Sequence, residues 1–230
     1  MLLQAHDLVV VLAGDSGDVL VLNGISLELP AGTVTDVVGP SGSGKTTLLR
    51  ALARLLPDAS GTLALDGVSA DTIPGPLWRT AVALLPQKPA IVDGSVRDNL
   101  LRPWSLKVRH GQTPPDDAAL RAALDRVALD AALDRDASRL SVGQQARVAL
   151  VRTLLTRPRV LLLDEPDAAL DELSAAAVSE LTRDFAQAGG AVVRVRHHRS
   201  DDIAHRRLRL VGGSLAEEHT SGPDSEEATS

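Results

Sequence analysis

Gly39-Pro40-Ser41-Gly42-Ser43-Gly44-Lys45-Thr46 decides how this chain is read. The stretch fits the G-x-x-x-x-G-K-[ST] spacing of a phosphate-binding loop at every position. The apolar run Thr33–Val38 precedes it as a strand, and Thr47–Leu56 follows with helical composition. That strand–loop–helix setting is what the motif needs. Glycines let backbone N–H groups come close to a polyphosphate. Lys45 brings a positive charge to the β and γ phosphates. The Thr46 hydroxyl is placed to ligate Mg2+, and the helix N-terminus adds its dipole. The nucleotide-binding set is therefore Gly39, Pro40, Ser41, Gly42, Ser43, Gly44, Lys45, Thr46 and Thr47, with ATP and Mg2+ as the bound groups. The plain alternative, a Gly/Ser turn with a stray lysine, is opposed by two further motifs.

The second motif is Val160-Leu161-Leu162-Leu163-Asp164-Glu165, an apolar strand ending in two acids. A strand buried on both faces reads this way. Asp164 can hold Mg2+, directly or through water, and Glu165 can take a proton from an attacking water. A buried strand followed by an acidic turn would look the same; the complete phosphate loop upstream favours the chemical reading.

Bulk properties set the frame. A chain of 230 residues that is 44% apolar supports one α/β domain with an ordinary core. Its aromatics are only Phe185, Trp78 and Trp104, so Leu, Val and Ala must fill that core. There is no cysteine, which excludes disulfides, thiolate metal sites and cysteine nucleophiles. The formal charge of −6 lies largely in the tail, where Glu217, Glu218, Asp224, Glu226 and Glu227 follow the last basic residue, Arg209. The rest is nearly neutral, so no nucleic-acid partner is expected. No apolar run approaches the length of a membrane span, and the N-terminus lacks a signal-peptide pattern.

Leu2–Leu12 and Val19–Leu29 read as strands joined by the turn Asp15-Ser16-Gly17-Asp18. Thr62–Leu65 and Thr80–Leu85 are further strands. Strand signals then vanish, and Ser95–Leu101, Asp116–Val127 and Ser141–Leu155 read as helices. Strands return at Arg159–Leu163 and Ala191–Arg196, flanking a helix from about Asp171 to Ala188. The pattern predicts a core of residues 1–88 and 156–213, a helical insertion over about 89–155, and an acidic, disordered tail over 214–230.

The third motif, Leu140-Ser141-Val142-Gly143-Gln144, lies between the first two and opens a helix. Here the chain resembles ATP-binding cassette (ABC) ATPases, whose signature is LSGGQ. The resemblance covers nearly everything before the tail. It implies a P-loop NTPase of ABC type over residues 1–213, with a mixed sheet core, an N-terminal antiparallel β subdomain and a helical insertion. Ser141, Gly143 and Gln144 would then contact an ATP held by a second copy of the chain, paired head to tail. Ser141 is also a plain helix cap. Gln87 matches the family's Q-loop glutamine, facing Mg2+ and the attacking water. Asp167–Asp171 resembles the loop after the catalytic acid, and Asp171 can also cap a helix. His197 stands where the family has a γ-phosphate histidine, with adjacent His198 as the rival. Glu165, His197 and Gln87 are thus the catalytic set, and Thr46, Gln87 and Asp164 the metal set.

The segment Leu84–Trp104 is similar to the ATP-binding subunits of iron-export type transporters. The implied function is ATP hydrolysis energising transport, most naturally export. A separate membrane-spanning permease would be the partner, with this chain cytoplasmic and peripheral on the inner membrane face. A non-transport ABC ATPase or a low-turnover nucleotide-dependent regulator are the other readings.

Five positions depart from the family's pattern. Val142 replaces the first signature glycine and Ala168 a usual serine. Val11 occupies the position of the family's adenine-stacking aromatic. Asp36 and Arg194 lie in strands where the family is apolar, each three residues before its motif, which predicts a buried ion pair. Arg196 is a rival partner, and solvent exposure of either side chain is the alternative.

Overall fold

The computed structural model describes residues 1–14, 17–168, 170–196 and 201–218. In chain order, β1 (Leu3–Gly14), β2 (Gly17–Leu29) and β3 (Val34–Val38) lead into α1 (Lys45–Leu52). β4 (Ser60–Leu65), β5 (Val68–Ser69), α2 (Gly75–Ala81) and β6 (Val82–Leu85) follow. The helical stretch holds α3 (Val96–Leu101), α4 (Asp117–Asp125) and α5 (Val142–Leu155). The chain returns to β7 (Val160–Asp164), α6 (Glu172–Gln187), β8 (Ala191–Val195), β9 (Arg206–Val211) and β10 (Ser214–Glu217).

Two sheets result. One is antiparallel in the order β2-β1-β4-β5; the other runs β10-β9-β3-β8-β7-β6 and is parallel except for β10. Every residue of β7 and β8 is buried, as expected for parallel strands covered on both faces. One apolar cluster, with Leu48, Leu52, Trp78 and Leu162, fills the space between the sheets. The other, with Leu120, Leu150, Leu161 and Leu181, packs the helices on the opposite face. This is the mixed α/β architecture, with antiparallel β subdomain and helical insertion, that the resemblance implies.

The differences have local causes. Thr80 and Ala81 belong to α2 and not to the strand, because Pro74 and Pro76 start a short helix there. That helix drives Trp78 wholly into the core, where its indole N–H donates to Leu52 O at 2.9 Å. β9 gives no strand signal because Arg206, Arg207 and Arg209 hide its alternation; only Leu208 and Leu210 point inward. The predicted tail begins too early. β10 pairs with β9 over Ser214–Glu217, Leu215 packs against the core, and Glu217 and Glu218 pair with Arg206 and Arg209. Residues 219–230 lie outside the described residues.

Candidate functional site

The phosphate loop leaves the C-terminal end of β3, and β8 and β7 lie beside it in the sheet. Ligands in parallel α/β sheets settle at such strand ends. Gly39 holds φ at 154°, and a Cβ there would fall 2.2 Å from Leu210 O. Gly44 takes a left-handed conformation (φ 99°) as the N-cap of α1. No side chain caps α1, whereas Ser95, Asp116, Ser141 and Asp171 cap α3, α4, α5 and α6. The first-turn N–H groups of α1, from Lys45, Thr46 and Thr47, are thus left without a side-chain acceptor. Ser43 Oγ is buried and unpartnered among the described residues. Lys45 is nearly buried and turns its ammonium back onto the loop, donating to Gly39 O (2.8 Å) and Pro40 O (2.9 Å). A cradle of free donors closed by one cation suits a polyphosphate.

The two acids meet this loop. Thr46 Oγ1 donates to Asp164 Oδ2 at 2.9 Å, joining α1 to the end of β7. Burial lifts the Asp164 carboxyl above its ordinary value, and the neighbouring Glu165 charge adds to that; the Thr46 hydroxyl, Arg50 and Lys45 oppose it. Gln87, just past β6, donates from Nε2 to Glu165 Oε2 at 2.6 Å. Glu165 itself has φ of 51°, a left-handed conformation that costs a non-glycine residue roughly 1–3 kcal/mol. Its N–H donates to Val195 O at 3.2 Å.

Mg2+ fits this donor set. A hydroxyl, a carboxylate and an amide oxygen are hard ligands, and the ion takes few protein ligands because it shares phosphate oxygens and water. Among the described residues no group of three or more His, Cys, Asp or Glu could hold a metal, so the fit relies on Thr46, Asp164 and Gln87 with the phosphates.

Ser141 caps α5 through a reciprocal box: Gln144 N donates to Ser141 Oγ (3.3 Å) and Ser141 N to Gln144 Oε1 (3.0 Å). Val142 is helical and 72% exposed beside Gly143. Among the described residues, no hydrogen bond or ion pair joins Ser141, Gly143 or Gln144 to the phosphate loop of the same chain. Asp171 caps α6, accepting from Ser174 N at 2.8 Å. His197 and His198 lie outside the described residues.

The Asp36–Arg194 pair is present. Arg194 Nε and Nη2 donate to Asp36 Oδ1 and Oδ2 at 2.8 and 3.0 Å, and both side chains are 2% exposed. The two residues are register partners across β3 and β8. What the sequence reading missed is the second carboxylate: Asp201 accepts from Arg194 Nη1 and Nη2 at 2.7 and 2.9 Å. Arg196 is not a rival for Asp36; it pairs with Asp167 and Asp201. Two acids after a run of basic residues at the end of β8 are the signal that could have pointed to Asp201.

Residues 22–168 match the model of the family described as ABC transporter. The chain belongs to the ABC transporter family. As a member of that family it carries the family's P-loop fold. Over 191 residues it is 37% identical to the probable iron export ATP-binding protein FetA of Escherichia coli (strain K12), covering 83% of each chain. It is 43% identical over 205 residues to protein STAR1 of Oryza sativa subsp. japonica, covering 86% of this chain and 57% of that one. The chain thus spans little more than half of that relative's length. Among solved structures, a bacterial Atm1-family ABC exporter with ATP bound superposes at a TM-score of 0.78 with 28% identity, covering 94% of this chain and 38% of that one.

Proposed function

We propose that this ABC cassette binds Mg-ATP in the cradle of Gly39–Thr47 and hydrolyses it to energise transport by a separate membrane-spanning subunit. The carrying observation is that two hydrogen bonds, Thr46 to Asp164 and Gln87 to Glu165, draw the phosphate loop, both acids and the Gln87 loop into one cluster. Lys45 and the first-turn N–H groups of α1 neutralise the β and γ phosphates. Thr46 Oγ1, Asp164 and Gln87 would hold Mg2+, which when bound offsets charge on the phosphate oxygens. Glu165 Oε2 accepts a proton from the attacking water while Gln87 orients both, giving ADP and phosphate. His197, two residues beyond β8 in the sequence, supports the transferred phosphoryl.

Among the described residues no hydrogen bond or ion pair ties Ser141, Gly143 or Gln144 to the loop of their own chain. We assign them to the γ-phosphate of a second copy arranged head to tail. Exposed Val142 (72%) and Leu173 (74%) provide apolar surface for that contact. Among the described residues no helix is long and apolar enough to cross a membrane. The membrane-spanning partner we assign is a permease subunit. A groove of about 500 Å3 beside the helical stretch, lined by Leu55, Arg79, Leu106, Lys107, Arg109 and Arg152, offers apolar and cationic surface to it. Export from the cytoplasmic side is the direction we infer, from the likeness of Leu84–Trp104 to iron-export type subunits and from the name of the FetA relative.

The test is Glu165→Gln. ATP turnover should fall by about 100-fold or more, the scale of a lost general base, with ATP binding retained. Equal turnover by the wild-type and variant proteins would contradict the hydrolytic reading.

A further inference from the structure

Glu165 keeps its left-handed φ of 51° at the head of a turn, and something must hold that turn in place. Two backbone bonds help: Glu165 N donates to Val195 O, and Ala168 N donates to Glu165 O at 3.3 Å. The third hold is a side chain. Arg196 Nη2 donates to Asp167 Oδ2 at 2.5 Å, two residues past Glu165, and Arg196 is 5% exposed. The backbone N–H of Arg196 donates to Val37 O at 3.2 Å, which fixes the residue to the strand that feeds the phosphate loop.

The guanidinium is itself anchored. Arg196 Nη1 lies 2.8 Å from Asp201 Oδ2, as an ion pair without hydrogen-bond geometry. Asp201 is in turn fastened to α6 by the Ser179 hydroxyl (2.5 Å) and to β8 by both terminal nitrogens of Arg194. Arg194 then grips Asp36, three residues before Gly39. Asp167, Arg196, Asp201, Arg194 and Asp36 form one chain of charges from the acid turn to β3, and it is largely buried.

We propose that Arg196 is a positioning residue for hydrolysis: through Asp167 it sets the turn that aims the Glu165 carboxylate, with Asp201 as its anchor. This rests on Glu165 being the general base. The network divides by role. The Asp36–Arg194 end ties β3 to β8, whereas the Arg196–Asp167 end touches the turn. A displacement of the base by about an ångström can cost up to ~100-fold in rate, while phosphate binding by Gly39–Thr47 is untouched. Loss of Arg196 should therefore appear in kcat and leave KM for ATP alone.

The experiment measures steady-state ATP hydrolysis by the wild type, Arg196→Met, Asp167→Asn, the double variant, Arg196→Lys and Glu165→Gln. Thermal unfolding is followed in parallel, so that rates are compared where every protein is folded. We expect Arg196→Met and Asp167→Asn each to lower kcat by roughly 10- to 100-fold with KM for ATP within about twofold. The double variant should lose little more than either single one, because both cut the same link. Arg196→Lys should recover part of the rate, having one donor for Asp167 but no fork to span Asp201 as well. If Arg196→Met does not fold, Asp167→Asn alone decides by the same kcat and KM criteria. Unchanged kcat with a lowered unfolding temperature, or two single losses that multiply in the double variant, would overturn the proposal. If Glu165→Gln also keeps full turnover, the reading of the site fails instead, and the two failures are thereby told apart.

Discussion

Val11 sits on β1 opposite Leu20 of β2, both 41–52% exposed, on the hairpin whose Val21 abuts the Gly44 end of the phosphate loop. An aliphatic pair there offers a nucleotide base an apolar ledge but no ring. Stacking of a base on an aromatic is worth ~1–3 kcal/mol in single-strand nucleic-acid binding. By that analogy Val11→Tyr should tighten ATP binding by about fivefold or more in a calorimetric titration. An unchanged dissociation constant would place the base away from this hairpin. Single residues also mark the limit of what sequence can show. The loop Gly39–Thr46 is legible because its chemistry is fixed by covalent spacing along one stretch. Asp36 and Arg194 were legible as a pair, since each breaks an apolar strand at the same distance from its motif. Asp201 was harder to read: the acids after the basic run that ends β8 hint at it, but its partners come together only when β8 and α6 pack.

At the level of elements, helices with caps and a clear period were readable: Ser141 and Asp171 mark the starts of α5 and α6 where the sequence places them. α2 and β9 were not, one too short to show a period and the other masked by Arg206, Arg207 and Arg209. β3 and β8 are joined by backbone bonds and by the Arg194 clamp. Arg194→Met would leave Asp36 buried without a counter-charge, a change that costs about 3–5 kcal/mol. Urea unfolding should report an unfolding free energy lower by that amount, and a loss under about 1 kcal/mol would mean the clamp adds little to an already packed sheet.

Acid should act on the same clamp. Burial alone would push the Asp201 carboxyl up, but hydrogen bonds from Arg194 and Ser179 and the charges of Arg194 and Arg196 bring it well below the usual carboxylate range. A depressed folded pKa contributes stability that is present above the unfolded value of about 4 and is lost as pH falls toward the folded one. Asp201→Asn should therefore be less stable than the wild type at neutral pH, with the gap closing below about pH 4. A gap that stays constant down to pH 2 would show that Asp201 acts by shape and not by charge.

For the whole molecule, the two apolar clusters on either side of the parallel sheet set the strand ends in one row, and the site follows from that row. Gly39, Gln87 and Glu165 each stand just beyond a strand end. Ser141, at the start of α5 in the helical region, belongs to no such row. In the head-to-tail pairing proposed above, a second copy brings its Ser141 to the γ-phosphate. The direct measurement is a structure of the Glu165→Gln variant with Mg-ATP, in which slow hydrolysis traps the closed state. The account predicts two copies enclosing two nucleotides, each triphosphate on Gly39–Thr46 of one chain with its γ-phosphate against Ser141 of the other. A triphosphate bound away from Gly39–Thr46, or a γ-phosphate with no contact from a second chain's Ser141, would contradict it.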